Sequence, residues 1–221
     1  DEPLGYFGPS SGIGMLLERL QETDKRYRVG VLGLGAGTLA AYGRDLDVYR
    51  FYEIDPQVID YALGEGGYFT YLEESPAEID VLVGDARLSL EQELRNGESQ
   101  GYDVLILDVF SGDAMPVHLL TREAFHIYFG HLDPGGILAA NISTSHLNLR
   151  PLLAAFAAHF EMEGVVVEDG GDGGVRYSSF WVLMSRDPNA LDGSPWAAYP
   201  PLSEFYDPEQ RLWTDHYSNL F

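Results

Sequence analysis

The sequence predicts an α/β protein: a doubly wound, mainly parallel sheet of seven strands, helices on both faces, and an antiparallel closing hairpin. Three observations carry this. Short apolar runs at 29–34, 48–52, 79–83, 102–107 and 137–142 alternate with stretches suited to helices, as parallel neighbours joined by crossovers require. The run at 102–107 is almost wholly apolar, as a strand buried on both faces must be. Two more runs, 165–168 and 177–184, flank a glycine- and aspartate-rich loop that leaves no room for a helix, so they should pair as a hairpin.

Residues 1–12 are rich in Gly, Pro and Ser and read as a loop leading to a helix at about 13–23, whose apolar face is Ile13, Leu16, Leu17 and Leu20. Gly8-Pro9-Ser10-Ser11-Gly12 matches the G-x-S-x-G pattern of serine hydrolases. A nucleophile elbow needs a buried strand before it, and what precedes Gly8 is acidic and turn-like, so the match is accidental. Residues 28–62 then read as strand, glycine turn, helix, strand, acidic residue and helix. Asp55 is placed to cap the second of these helices, with Pro56 at its first position. Residues 64–78 look irregular, and Tyr68, Phe69, Tyr71 and Leu72 are expected to cover one end of the sheet. After the third strand come Gly84-Asp85-Ala86, a helix over about 87–95 and an Asn96-Gly97 turn. The fourth strand ends at Asp108, a loop follows, and Thr121 should cap the next helix. Asp133-Pro134-Gly135-Gly136 is expected to turn into the fifth strand, and an alanine-rich helix spans about 147–160. The prolines and aromatics of 186–221 should wrap the domain without extending the sheet. The expectation is one domain over 1–221: a lead-in at 1–27, a core at 28–185 and this tail.

Composition narrows the function. The 221 residues, 45% of them hydrophobic, suffice for one domain with a substantial core. The absence of cysteine excludes disulfides, thiolate metal sites and a cysteine nucleophile. Thirteen basic against 35 acidic residues, a net charge of −22, argue against nucleic-acid partners and anionic membranes and suit a cationic substrate. The six histidines show no ligand spacing such as H-E-x-x-H, so no metal is expected. No apolar run approaches the roughly 20 residues needed to span a bilayer. Asp1-Glu2-Pro3 is neither a signal peptide nor an initiator methionine, so a longer parent protein is expected.

In such a sheet, ligands sit outside the carboxyl ends of the strands. Gly33 to Gly37, Glu53, Asp85 and Asp108 follow successive strands and should meet at one cleft. A dinucleotide fingerprint has glycine at the sixth position, where this chain has Thr38. Glu53 stands about 20 residues after Gly33, the spacing at which a carboxylate accepts from ribose hydroxyls. Together with Gly84-Asp85-Ala86, where Asp85 could accept from the exocyclic amine of adenine, the pattern is that of an S-adenosylmethionine-type ligand. The nucleoside-binding candidates are therefore Gly33, Gly35, Gly37, Glu53, Asp85 and Ala86. Asp85 can equally serve as a helix N-terminal carboxylate.

These residues also carry a family resemblance. Tyr52-Glu53-Ile54-Asp55-Pro56, Gly84-Asp85-Ala86-Arg87 and above all the run LDVFSGDAMPVHLLT at 107–121 resemble the spermidine synthase family, in particular the branch whose synthase-like domain follows a bundle of membrane helices. Trp213-Thr214-Asp215-His216-Tyr217-Ser218-Asn219-Leu220 resembles that branch's closing motif. The resemblance implies a Rossmann-like methyltransferase fold and transfer of an aminopropyl group from decarboxylated S-adenosylmethionine to a di- or polyamine, releasing methylthioadenosine. It implies Asp108 as the base and amine anchor, Asp113 as the second carboxylate of the family's D-x-x-D pattern at a wider spacing, and Tyr177 in the amine pocket. His118 lies in the same stretch and is given a structural role.

Two departures keep alternatives open. Ala36-Gly37-Thr38 stands where the family has an aspartate, and Ser10-Ser11-Gly12-Ile13-Gly14 where it has a tyrosine, a glutamine or histidine, and a glutamate. One alternative is a methyltransferase that uses intact S-adenosylmethionine and releases S-adenosylhomocysteine. The other is a non-catalytic nucleoside- or polyamine-binding domain of a membrane protein. The expected partners are a small cationic amine, no nucleic acid, and membrane helices ahead of the chain, in a cytoplasmic setting. A monomer or weak homodimer is expected, because the family's N-terminal β extension is missing.

Overall fold

The computed structural model describes residues 3, 5–63, 68–110, 115–144, 147–171, 174 and 177–218. Its strands are β1 Arg28–Leu32, β2 Val48–Glu53, β3 Glu78–Val83, β4 Tyr102–Leu107, β5 Leu132–Asn141, β6 Glu163–Asp169 and β7 Ser179–Ser185. The helices are α1 Gly12–Gln21, α2 Pro56–Leu63, α3 Tyr71–Glu74, α4 Ala86–Arg95, α5 Arg122–His131 and α6 Arg150–His159. The strands form one sheet in the order β3-β2-β1-β4-β5-β7-β6. β1 to β5 pair in parallel, and β7 runs antiparallel between β5 and β6. The sheet is thus the doubly wound, mainly parallel one expected, closing hairpin included.

Successive side chains of a strand point to opposite faces, so a strand covered on both sides must be apolar throughout. β4 does this: Leu105 and Leu107 join the layer under α4, α5 and α6 with Leu90, Phe125 and Phe156. Val104 and Ile106 join the opposite layer with Ile13, Leu16 and Leu17 of α1 and Trp181 of β7. The helices start where capping chemistry dictates. Ser11 Oγ accepts from Gly14 N at 3.0 Å and Thr121 Oγ1 from Ala124 N at 3.2 Å. Among the described residues the tail adds no strand to the sheet: Trp196 enters one apolar layer, Leu202 and Trp213 the other. No described helix is long and apolar enough to cross a membrane.

Several expectations need correcting. After the glycine turn there is only a 3-10 segment, Thr38–Tyr42, where a helix was expected. The chain must reverse by Asp47, whose buried carboxylate accepts from Tyr27 N at 3.0 Å and from Arg44 N at 3.2 Å, and Gly43 is wedged against Ala77 and Ser75. The Asp-Pro-Gly-Gly stretch at 133–136 is an irregularity inside β5, not a turn before it: Tyr102 pairs with Leu132, but Val104 already pairs with Ile137. Of Tyr68, Phe69, Tyr71 and Leu72, only Leu72 is buried. Tyr177 precedes β7 and is not part of it.

Candidate functional site

The sheet's winding changes direction between β1 and β4, which opens a crevice at the carboxyl ends of these strands. Leu32 pairs with both Tyr52 and Leu107, so Gly33, Glu53 and Asp108 leave the sheet together. They line a cavity of about 680 Å³, a volume typical of small-molecule sites. Tyr6, Phe7, Ile54, Val58, Val109, Phe110 and Pro116 supply apolar wall; Asp55, Asn141 and Ser143 supply further polar groups.

The glycine turn is required where it passes Asp108. Gly33 has φ 93°, and a Cβ there would lie 2.5 Å from the Asp108 carbonyl oxygen. Gly35 has φ 53° and open space where a Cβ would stand, so its backbone borders the cavity freely. Glu53 is 9% exposed and held by two backbone donors, Leu34 N to Oε2 at 3.0 Å and Asp55 N to Oε1 at 2.9 Å. Each carboxylate oxygen keeps acceptor capacity beyond one bond, so Glu53 can still take ribose hydroxyls. Asp55 caps α2 as expected, accepting from Gln57 N at 2.9 Å, and also lines the cavity.

Asp108 is partly buried at the end of β4. Burial pushes its carboxyl from the ordinary 3.8 up to about 6, opposed by a hydrogen bond from Asn141 Nδ2 to Oδ1 at 2.7 Å. Asn141, 2% exposed at the end of β5, accepts through Oδ1 from Ser143 N at 3.0 Å and Ser143 Oγ at 2.6 Å. The sequence reading missed Asn141 and Ser143. The available signal was a lone amide closing an apolar run, Ile137 to Ala140.

The expectation that all four strand-end groups share one cleft holds for Glu53, Asp108 and, of the glycine turn, Gly33 and Gly35; Gly37 does not line the cavity, and a Cβ there would meet the Leu72 side chain at 2.8 Å. Asp85 caps α4, accepting from Leu88 N at 2.9 Å, and its other oxygen lies 3.2 Å from His118 Nε2. The helix N-terminus beside it offers a backbone donor, so the carboxylate turns there instead of into the cavity. Ala86 is buried in the layer beneath α4, and neither residue lines the cavity. Tyr177 is more than half exposed, with its ring 5.4 Å from that of Tyr6, which does line the cavity. It therefore stands behind the rim. Asp113 lies outside the described residues. Among the described residues no group of three His, Cys, Asp or Glu could hold a metal ion.

No family model matches the chain. Over 139 residues it is 33% identical to a polyamine aminopropyltransferase of Vibrio vulnificus, covering 61% of this chain and 44% of that protein. Over 115 residues it is 34% identical to an N-terminal histidine N-methyltransferase of Emericella nidulans, covering 50% of this chain and 19% of the other. The chain thus spans less than half the length of these curated relatives. Among solved structures, a probable spermidine synthase from Corynebacterium glutamicum superposes with a TM-score of 0.56 at 25% identity, over 78% of this chain and 62% of that one. Human methyltransferase-like protein 13, solved in complex with SAH, shares the fold with a TM-score of 0.61 at 20% identity, over 92% and 93% of the two chains.

Proposed function

We propose that the chain, similar to polyamine aminopropyltransferases and spermidine synthases over part of their length, is a member of the spermidine synthase-like family and transfers an aminopropyl group from decarboxylated S-adenosylmethionine to a di- or polyamine in the crevice between β1 and β4. The observation that carries this reading is the charge of the cavity wall. Glu53, Asp55 and Asp108 line it, and among the described lining residues there is no Lys, Arg or His. The decarboxylated donor presents only positive groups, a sulfonium and an ammonium, and the acceptor amine is cationic too. Intact S-adenosylmethionine adds a carboxylate, and a like-charge contact at 4 Å costs about 1 to 4 kcal/mol between bulk-water and protein-surface dielectrics.

In this proposal Glu53 accepts from the ribose hydroxyls, and the Gly33 to Gly37 turn lets backbone approach the nucleoside. Asp108 attracts the acceptor ammonium and takes its proton. The freed lone pair attacks the methylene beside the sulfonium; an N–C bond forms, the C–S bond breaks, and its electron pair returns to sulfur as neutral methylthioadenosine leaves. A carboxyl titrating at about 6 is ionised at neutral pH yet more basic than an exposed aspartate. Holding both reactants at one wall supplies the orientation the displacement needs.

One observation favours a second reading, methyl transfer from the intact donor: the glycine turn carries Ala36 and Thr38 where a synthase has its aspartate. Incubating the protein with putrescine and either donor, then identifying products by mass spectrometry, separates the cases. Methylthioadenosine from the decarboxylated donor supports aminopropyl transfer. S-adenosylhomocysteine from the intact donor supports methyl transfer, and binding without turnover supports a non-catalytic domain.

A further inference from the structure

We propose that Asn141 is a positioning residue for Asp108: it engages one carboxylate oxygen and leaves the other to receive the substrate's proton. This rests on Asp108 being the base. Register creates the pair. Leu107 pairs with Ala140 across β4 and β5, so the residues that follow, Asp108 and Asn141, leave the sheet side by side. Their side chains meet at 2.7 Å, Nδ2 to Oδ1.

The amide can face only one way. Asn141 Oδ1 accepts from the Ser143 backbone N–H at 3.0 Å, and a backbone N–H is always a donor. Ser143 Oγ accepts from Phe180 N at 2.9 Å, so its own proton is free to go to Asn141 Oδ1 at 2.6 Å. A flipped amide would set its NH₂ against the Ser143 N–H and its carbonyl against the Asp108 carboxylate. Asn141 is therefore a neutral donor anchored through Ser143 to the β7 backbone. Among the described residues it makes the one side-chain hydrogen bond to Asp108, and Oδ2 accepts none. The other titratable groups lining the cavity are Tyr6, Glu53 and Asp55, and Glu53 is engaged by Leu34 N and Asp55 N.

A donor to the ionised form favours ionisation, and losing it leaves burial unopposed. Asn141→Leu, with the same side-chain branching but without the donor, should raise the Asp108 pKa by about one unit. Ser143→Ala, which removes one of the two donors orienting the amide, should shift it the same way by a smaller step. The test is a carbon-13 NMR titration of aspartate carboxyl carbons in the ligand-free protein, with Asp108 assigned through Asp108→Asn and folding checked by circular dichroism. Alongside it, the pH profile of kcat/KM is measured with the decarboxylated donor and putrescine. The expected result is an upward shift of the Asp108 titration, with the acidic limb of kcat/KM moving by the same amount. An Asp108 titration unmoved in both variants overturns the role of Asn141 whatever the enzyme does. A titration that moves while the acidic limb stays in place overturns Asp108 as the base, and the positioning role with it. Wild-type protein that turns over neither donor overturns the proposed reaction alone, because the titration needs no substrate.

Discussion

Asp108→Asn should inactivate the protein and stabilise it. Burial holds the Asp108 carboxyl at about 6 against an ordinary value of 3.8. A folded pKa above the unfolded one means that the fold disfavours the ionised form. The penalty is therefore absent well below pH 3.8, grows between the two values and is complete above about pH 6. Two pK units correspond to about 3 kcal/mol at roughly 1.4 kcal/mol each, and because the side chain keeps some contact with solvent we take about 2 kcal/mol. Asparagine is isosteric, removes the charge and can still accept from Asn141 Nδ2. The variant should thus gain about 2 kcal/mol over wild type at pH 7.5 and about half of that at pH 5, as linkage requires. Urea unfolding followed by circular dichroism at both pH values measures this, and a mass-spectrometric assay follows methylthioadenosine. Transfer should fall by about 10² to 10⁴-fold, the usual contribution of a general base. A variant no more stable than wild type at pH 7.5, or equally stabilised at both pH values, would refute the strained carboxylate; unimpaired transfer would refute its role as base.

Two further perturbations test the surroundings. Glu53→Gln keeps the side-chain shape but sets an NH₂ against Leu34 N or Asp55 N. Methylthioadenosine binding by isothermal titration calorimetry should weaken about ten- to a hundredfold, or 1.4 to 3 kcal/mol, and an unchanged Kd removes the ribose assignment. Arg87 clasps the tail: it meets Asp215 bidentately at 2.8 and 2.6 Å and donates to the His118 carbonyl at 2.7 Å, while Arg122 N donates to Trp213 O at 2.8 Å. Because the Asp215 side chain is 38% exposed, a double-mutant cycle of Arg87→Ala and Asp215→Ala in urea should give a coupling of only about 1 kcal/mol. Zero coupling would mean that the Trp-Thr-Asp-His stretch is not held by this pair.

The sheet was legible because its signal is local. β4 is apolar at nearly every position since both faces are covered, and β6 and β7 are too close in sequence to be anything but antiparallel. What failed depended on partners far along the chain. Residues 133–136 look like a turn from their own chemistry, and their place inside β5 is fixed only by where Tyr102 and Val104 find partners. The segment after Gly37 has apolar residues enough for a helix, but Asp47 ties the chain back to Tyr27 before a second turn can form.

The site divides along the same line. Gly33, Glu53 and Asp108 were visible as residue types with a chemical purpose at strand ends, and register brings them into one cavity. Asp85 was visible by the same rule yet turns away, because a carboxylate at a helix start has a competing donor at Leu88 N that no strand-end rule includes. Asn141 is the converse case. A neutral amide closing an apolar run stands out as polar but names no chemistry of its own, and it matters only because Leu107 pairs with Ala140 and sets it against Asp108. Sequence therefore locates charged groups that act on a ligand more readily than neutral groups that act on the charged ones. If Asn141 governs how Asp108 titrates, the pH dependence of activity in chains of this kind depends on a pair of strand ends, so keeping the acid alone would not preserve it.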